Sequence, residues 1–410
     1  MTNPSPSLGR ATATLLAGGA AAQALPLLLG PWVARLYTPE QFGHYVAFAA
    51  VAANLAVVAC ARYEFALPMV PDDDDCEALM ALCLRCLLAS VAVITLLSAW
   101  PGTQGVLAQA AWLGPAVLAL GAAQLFNMHA TRSQRFGALA VGRLVQHGGG
   151  AVLQVVAGLT LAGTAGLVLG PLAAAILAAL GLAWGAGIHW RRIGRVPMVR
   201  VKVAARAHRD FPLLNAPHAF SAALQDTLTV ALIMAMTGDM AAGLWGLALR
   251  YLKAPATWVG SAVSQALYPK LASASHAQAQ AAVRQVMGLL ALAALPLAGV
   301  LLIAGPTLFA WAFGERWRGA GELARALAPY IALHFVASPL AVVTMAWQAQ
   351  AWALRLALVG QALFLLALAA GLFWGDLVAA AWCVSASMSL YFAWYFWKLA
   401  TWPDPALAKA

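Results

Sequence analysis

The sequence has few charged residues for its length. Only 9% of the 410 residues are Asp, Glu, Lys or Arg, whereas 63% are hydrophobic and the mean hydropathy is +0.80. A soluble domain averages roughly 25% charged residues because its surface faces water. No stretch is polar enough to form such a domain. The composition therefore excludes an ordinary soluble protein and indicates a chain whose surface faces the lipid bilayer.

Acidic residues are scarcer than basic ones, with 14 Asp and Glu against 24 Lys and Arg, and the formal net charge is +10. Seven of the basic residues lie in one connector between apolar segments: Arg191, Arg192, Arg195, Arg200, Lys202, Arg206 and Arg209. Cytoplasmic loops of membrane proteins are enriched in Lys and Arg. The positive charge thus indicates membrane topology, and nucleic acid is not an expected partner.

Cysteine is also scarce, with five residues in the chain. Cys83 and Cys86 form a CxxC pair in an apolar run, without the second pair of ligands that a zinc site needs. We interpret them as small buried side chains and expect no metal site. The sequence contains no P-loop and no dinucleotide fingerprint. We expect no cofactor, no catalytic residue and no ATP-driven export by this chain alone.

Long apolar runs are abundant. A membrane-spanning helix needs about 20 mostly apolar residues. Twelve windows satisfy this requirement: residues 11–34, 44–67, 77–99, 106–128, 137–161, 166–189, 212–236, 241–267, 285–305, 326–347, 355–374 and 377–399. The first is too long for a signal peptide and is interpreted as an uncleaved helix. The sequence predicts an all-α polytopic membrane protein of about twelve transmembrane helices.

The basic connector divides this chain into two halves of six windows each. We predict an N-terminal six-helix lobe over residues 1–208, which includes the connector, and a C-terminal six-helix lobe over residues 209–410. Most basic connector residues, together with Arg10, Lys398 and Lys409 of the tails, fall on one side of the predicted topology. This bias predicts that both termini are cytoplasmic.

A few ionisable residues fall within the predicted spans. They are Arg62 and Glu64 in the second span, Arg143 in the fifth, Asp226 in the seventh, and Arg250 and Lys253 in the eighth. Such a residue costs roughly 2.5–3.5 kcal/mol on insertion scales and normally faces a cavity or a partner. Because cations outnumber acids, we expect Arg62, Arg143, Arg250 and Lys253 to line an electropositive cavity for an anionic substrate. Glu64 and Asp226 are candidate carriers of a coupling proton or sodium ion.

Other interpretations of these residues stay open. Arg62 could extend its guanidinium to the cytoplasmic interface, and Asp226 could pair with Arg250 across helices. We interpret His147 and His334 as packing residues. The run Asp72 to Asp75 resembles the acidic clusters of sugar transferases, but we expect a short solvated turn there because no surrounding domain is present.

Several segments together resemble one transporter family. They are the stretch from Gln23 to Glu64, which ends in Arg62-Tyr63-Glu64; Asp210-Phe211-Pro212; Ala242 to Ala272; Phe313 to Tyr330; and Ser338-Pro339. In this order they resemble the polysaccharide transporter family, the Wzx-type O-antigen and exopolysaccharide flippases of the multidrug/oligosaccharidyl-lipid/polysaccharide superfamily. The chain is shorter than many family members, and its first span lacks the acid that drug exporters often place there.

The resemblance implies two six-helix lobes around a central cavity that opens alternately to each side. It implies a flippase for undecaprenyl-diphosphate-linked oligosaccharides in the bacterial inner membrane, acting in lipopolysaccharide or exopolysaccharide synthesis. Membrane lipids are further expected partners, and polysaccharide polymerase and chain-length machinery are candidate ones. Within the family, Arg62, Tyr63 and Glu64 match the RYE element and Arg250 matches the arginine of the eighth span.

Other functions remain open at this point. The chain could export small drugs, or it could flip a lipid-linked cell-wall precursor. A drug antiporter for cations should have more acids than bases in its cavity. From another class, a membrane polysaccharide polymerase usually needs a sizeable extracytoplasmic loop, and the longest predicted one spans only residues 306–325.

Overall fold

A computed structural model describes residue 19 and residues 21–100, 109–160 and 163–403. Residues 21–28 are helical. The fifteen α-helices that follow are α1 (Gly30–Leu36), α2 (Pro39–Val58), α3 (Asp73–Ser98), α4 (Leu113–Arg132), α5 (Phe136–Arg143), α6 (Gly150–Thr160), α7 (Ala165–Gly185), α8 (Trp190–Arg195), α9 (Met198–Ala207), α10 (Ala216–Thr237), α11 (Asp239–Ser273), α12 (His276–Phe313), α13 (Arg318–Ala346), α14 (Gln350–Trp374) and α15 (Leu377–Ala400). Short 3₁₀ or π segments connect some of them, and the described residues contain no strand.

Nine helices in the described ranges are long and apolar enough to cross a membrane. They are α2, α3, α4, α7, α10, α12, α13, α14 and α15, in part with the short turn that precedes the helix. Their outward side chains include many large apolar residues, such as Ile303 and Trp374, which are 82% and 81% exposed. Because burying these side chains in water-free surroundings is favourable, such faces suit contact with lipid. The predicted all-α membrane architecture is confirmed.

Three predicted windows differ from these nine helices. In the window 11–34, residues 11–18 and 20 lie outside the described residues, as do Arg10 and Lys409 of the tails, and most of the rest forms the helical residues 21–28 and the first part of α1. The window 137–161 forms α5 and α6 joined by a π segment, Leu144–Gly149, so the helical hydrogen-bond register changes inside it. The window 241–267 lies within α11, whose charged residues include Arg250 and Lys253. A helix with these cations is less apolar than its neighbours.

The fold divides into two compact units, Met1–Val230 and Ala231–Ala410. In the first unit, α4 packs against α3 and α7, and the core contains Leu79, Cys83, Leu125 and Leu182. In the second unit, α13 packs against α11, α12 and α15. The division between them falls after Val230, within the residue range of α10. The boundary predicted from the sequence, between residues 208 and 209, stays a prediction.

The contact of α12 with α13 depends on small residues. A Cβ atom added to Gly305 would lie 2.9 Å from the carbonyl oxygen of Gly321, and one added to Gly321 would overlap the backbone of Pro306. The neighbours are main-chain atoms and cannot rotate away. Small residues at such positions let helices approach closely within a membrane.

The acidic run Asp72 to Asp75 differs from the solvated turn that we expected. Asp72 is the N-cap of α3 and accepts a hydrogen bond from the Asp75 amide at 3.1 Å, while Asp73, Asp74 and Asp75 form the first helical turn. Acids are favoured there because amide groups without helical partners point toward them. The prediction of a turn was therefore wrong: the run begins a helix.

Candidate functional site

The chain leaves α2 through a strained turn that contains the first two candidate residues. Ala61 and Arg62 have φ angles of 51° and 64°, in the left-handed region that non-glycine residues seldom occupy. A 3₁₀ helix, Tyr63–Met69, follows. The predicted second span to residue 67 was therefore too long, because left-handed residues cannot continue an α-helix. Arg62 and Glu64 lie after the end of the spanning helix.

Two contacts hold the half-buried Arg62 side chain. Its Nε donates to Oδ1 of Asn215 at 2.8 Å, and its Cζ lies 3.9 Å from the ring centroid of Phe65. A guanidinium over an aromatic face is attracted by the ring's negative charge density. Burial lowers the pKa of the Arg62 guanidinium, and the charge of Glu64 acts in the opposite direction. Arg62 therefore links the turn to the π segment that directly precedes α10.

Glu64 is a buried acid with an unsatisfied oxygen. The residue is 2% exposed, and its Oε2 atom has no hydrogen-bond partner among the described residues. Cys60, Cys83 and Cys86 lie within electrostatic range of the carboxyl group. All three are free thiols. Surroundings of this kind stabilise the neutral carboxylic acid relative to the carboxylate.

The pKa of Glu64 follows from this burial. Removal of the carboxyl from water raises its pKa from 4.5 to about 7, although its own backbone hydrogen bond and the Arg62 cation act to lower it. A carboxyl group with a pKa near 7 can bind and release protons at physiological pH. The turn thus contains an acid with the property that a proton carrier needs.

Arg143 lies where the fifth predicted span changes its helical register. It ends α5, directly before the π segment Leu144–Gly149. Its Nη1 atom lies 3.8 Å from the position that a Cβ of Gly19 would occupy. Short π segments in helices are frequent at functional sites. The side chain is exposed, and no hydrogen bond or ion pair among the described residues joins it to Arg62 or Glu64.

Asp226 is an exposed residue of α10, next to a polar contact between α10 and α2. Asn54 of α2 is 4% exposed and donates through Nδ2 to Oγ1 of Thr227 at 3.2 Å. Thr227 donates to the carbonyl of Ala50 at 3.2 Å. The Oδ1 atom of Asn54 is buried without a hydrogen-bond partner in the described part of the chain. Sequence reasoning missed Asn54, although an amide in an apolar window is a visible signal.

Arg250 and Lys253 lie one turn apart on α11, in the second unit. Both are half-buried. Residues three apart on a helix are neighbours on its surface, so the two cations share one face. Lys253 lies within electrostatic range of His334 on α13, whose ring is 5.8 Å from that of Tyr330. This face combines positive charge with aromatic side chains.

The sequence profile of a family described as polysaccharide biosynthesis protein matches residues 32–322. The chain belongs to this family. The matched range includes all six candidate residues. No curated protein sequence matches the chain with statistical significance.

Solved structures show which fold this member of the polysaccharide biosynthesis protein family has. A multidrug resistance MATE family transporter of the MOP superfamily, in an inward-facing conformation, has a TM-score of 0.68 and 14% identity, covering 95% of this chain and 96% of that one. Lipid II flippase MurJ, in an inward closed conformation, has a TM-score of 0.73 and 9% identity, covering 94% and 89%. An outward-facing MATE transporter of that superfamily has a TM-score of 0.56 and 13% identity, covering 95% and 94%.

At such low identity these structures establish the fold alone. The chain shares the all-helical fold of these membrane transporters. The family member is a multi-pass membrane protein. In the described ranges, no group of three His, Cys, Asp or Glu side chains could hold a metal ion.

Proposed function

We propose that this protein is a flippase for undecaprenyl-diphosphate-linked oligosaccharide repeat units. It moves them by alternating access from the inner to the outer leaflet of the bacterial cytoplasmic membrane, with both of its termini in the cytoplasm. The units are used to build surface polysaccharide, either O-antigen or exopolysaccharide. The protein itself breaks no covalent bond of the substrate.

The observation that carries this proposal is the half-buried pair of cations on α11, Arg250 and Lys253, in a member of a polysaccharide biosynthesis family. A lipid-linked diphosphate cannot cross about 30 Å of hydrocarbon unaided, because ions lose their hydration there. Lysine and arginine can replace that hydration around a diphosphate. We assign Arg62 and Arg143 the same role, in a hydrated cationic cavity.

Electrical energy favours the proposed direction of transport. The cytoplasm is electrically negative, so the membrane potential favours outward movement of an anion. Each charge gains about 2.3 kcal/mol per 100 mV. Two charges on a diphosphate therefore gain about 4–5 kcal/mol at 100 mV.

A coupling proton could add to this energy, and Glu64 is our first candidate for its carrier. Its pKa of about 7 and its position two residues from Arg62 support this role. Asp226 is the second candidate, for a proton or for sodium. The test is a flipping assay in sealed vesicles with the proton and sodium gradients collapsed one at a time. If flipping is unchanged in both cases, neither acid carries a coupling ion.

The function itself is tested by deleting the gene in its native host and profiling polyprenyl-diphosphate-linked oligosaccharides by mass spectrometry. We expect one such lipid to accumulate on the cytoplasmic face while surface polymer disappears. The mass of the accumulated lipid identifies the sugars. Accumulation of single units on the outer face would instead assign polymerisation to this protein, and an unchanged lipid pool would contradict both functions.

A second candidate function is flipping of a lipid-linked cell-wall precursor. The structural likeness to a solved lipid II flippase, MurJ, supports it. The same deletion distinguishes the two, because a peptide-bearing lipid would then accumulate and growth, rather than surface polymer alone, would fail. The likeness to MATE transporters similarly leaves drug export as an alternative, which drug-sensitivity profiling of the deletion strain tests.

A further inference from the structure

The connector that precedes α10 contains a run of basic residues. From His189 to Arg209 the chain has seven Lys and Arg residues and no Asp or Glu. Helix α9 forms its longest helical part. Trp190, at the start of α8, is 49% exposed although its ring also contacts Phe126. The connector thus combines positive charge with exposed apolar surface.

Helix α9 has one buried and one exposed face. Val201 is 4% exposed and packs in the core of the first unit, where α9 contacts α3. On the other face Val199 and Val203 are 72% and 61% exposed. Lys202 and Arg206 are exposed beside them. Because residues four apart lie one above the other on a helix, the face has one apolar stripe and one basic stripe. We call these four residues the α9 face.

Other contacts fix the orientation of this face. Tyr63 donates its hydroxyl to the carbonyl of Ala205 at 3.3 Å, on the buried side of α9. Arg200 pairs with Asp74 at 3.2 Å and with Asp75 at 3.4 Å. Arg200 is engaged in these ion pairs, which do not cover the four residues of the α9 face. Lys202 and Arg206 form no ion pair within the described part of the chain.

We propose that the α9 face binds anionic phospholipid headgroups at the surface of the membrane. The valines enter the boundary between headgroups and acyl chains, while Lys202 and Arg206 contact lipid phosphates. Amphipathic helices with basic polar faces lie on membranes in this way. Tryptophan, present here at position 190, is enriched at the same depth. The topology proposed above makes this surface the cytoplasmic leaflet, but the lipid site does not depend on the identity of the transported substrate.

Charge complementarity selects this partner. Each Lys or Arg near an anionic membrane surface strengthens binding by about 1 kcal/mol, which is roughly fivefold. The two cations of the α9 face therefore favour an anionic over a zwitterionic lipid by roughly twenty-five- to thirtyfold. Val199 and Val203 favour any lipid surface over a water-soluble anion, because they gain from leaving water.

The test is native mass spectrometry of the purified full chain titrated with phosphatidylglycerol and with phosphatidylcholine. The test variant is Lys202→Gln with Arg206→Gln. The control is Lys270→Gln with Arg355→Gln, which removes two exposed cations elsewhere in the chain. We expect the wild type and the control to bind phosphatidylglycerol more tightly than phosphatidylcholine, and the test variant to lose roughly tenfold or more of that preference.

A third variant, Val199→Ser with Val203→Ser, should weaken the binding of both lipids equally. Thermal unfolding and gel filtration of every variant show whether the fold is retained. An unchanged lipid preference in a folded Lys202→Gln, Arg206→Gln protein would overturn the proposal, as would an equal loss in the control. Binding of heparin through the same two cations, in the absence of a preference for phosphatidylglycerol, would assign the face to a soluble acidic partner instead.

Discussion

At the scale of single residues, Glu64 has the most unusual environment among the candidates. It is buried beside cysteines, with one oxygen unsatisfied. Structural acids in protein interiors are normally paired with a cation through hydrogen bonds. Arg62 is close enough to act on the charge of Glu64, yet its Nε bonds to Asn215. In this arrangement the Glu64 carboxyl group is suited to gain and lose a proton.

Stability should therefore depend on pH through Glu64. Its folded-state pKa of about 7 lies above the ordinary value of 4.5, so the folded state holds the proton more tightly than the unfolded state. This contribution to stability is complete below pH 4.5 and is lost as the pH rises to about 7. Thermal unfolding in detergent at pH 4.5, 6 and 8 measures it. Glu64→Gln should remove this part of the pH dependence.

The control for this measurement is Glu40→Gln, which neutralises an exposed glutamate in the first turn of α2. It should leave the pH dependence as it is in the wild type. If Glu64→Gln and the wild type lose stability equally between pH 4.5 and 7, Glu64 does not have the raised pKa on which the coupling proposal depends.

The backbone of the neighbouring turn provides a second prediction at this scale. An L-residue in the left-handed conformation costs roughly 1–2 kcal/mol, whereas glycine adopts it freely. Ala61→Gly should therefore stabilise the protein by up to about 1 kcal/mol. Ala49→Gly, inside α2, should destabilise it by about 1 kcal/mol. Thermal unfolding of the two variants should show shifts of opposite sign; two destabilised variants would contradict the strained turn.

At the scale of helices, the sequence predicted where the helices lie better than the residues at which they begin and end. Apolar windows identified the helices because lipid-facing and core-facing residues are both apolar, and that requirement is visible in composition. The end of α2 and the start of α3 were missed, because they depend on the φ angles of Ala61 and Arg62 and on the cap formed by Asp72. Such local geometry leaves little trace in hydropathy.

The close approach of α12 and α13 gives a prediction about packing. Gly321→Ala places a methyl group against the Pro306 backbone, which cannot move aside, and should cost about 1–3 kcal/mol. Gly288→Ala changes a glycine of α12 that has open space around it and should gain up to about 1 kcal/mol from helix propensity. Thermal unfolding and the yield of folded protein compare the two. Equal changes in thermal stability and yield for the two variants would show that the contact between α12 and α13 is loosely packed.

At the scale of the whole molecule, the functional proposal rests on the two cations of α11, Arg250 and Lys253. Their positions were predictable because charge in an apolar window is conspicuous. Their partners were not, since pairing across helices depends on rotations that the sequence does not specify. The same limit applied to Asn54, whose contact with Thr227 joins residues 173 positions apart.

Removal of the α11 cations should abolish most transport while leaving the fold intact. A hydrogen bond to a charged group contributes about 1.5–3 kcal/mol. Arg250→Gln with Lys253→Gln should therefore slow flipping by roughly ten- to a hundredfold or more. The assay is restoration of surface polymer in the deletion strain at matched membrane levels. The Lys270→Gln, Arg355→Gln pair should restore it fully; full restoration by both pairs would remove Arg250 and Lys253 from the substrate path.

The charged helix α11 also has a consequence for biosynthesis. Helices enter the bilayer one after another as the ribosome delivers them, and each cation at mid-membrane costs roughly 2.5–3.5 kcal/mol at that step. In the folded unit α11 packs chiefly against α13 rather than against α12, its successor in the chain. Helix α13, against which α11 packs, is thus synthesised later than Arg250 and Lys253 are. We expect nascent α11 to stay at the translocon until α13 emerges, so that chains truncated between the two helices are inserted poorly.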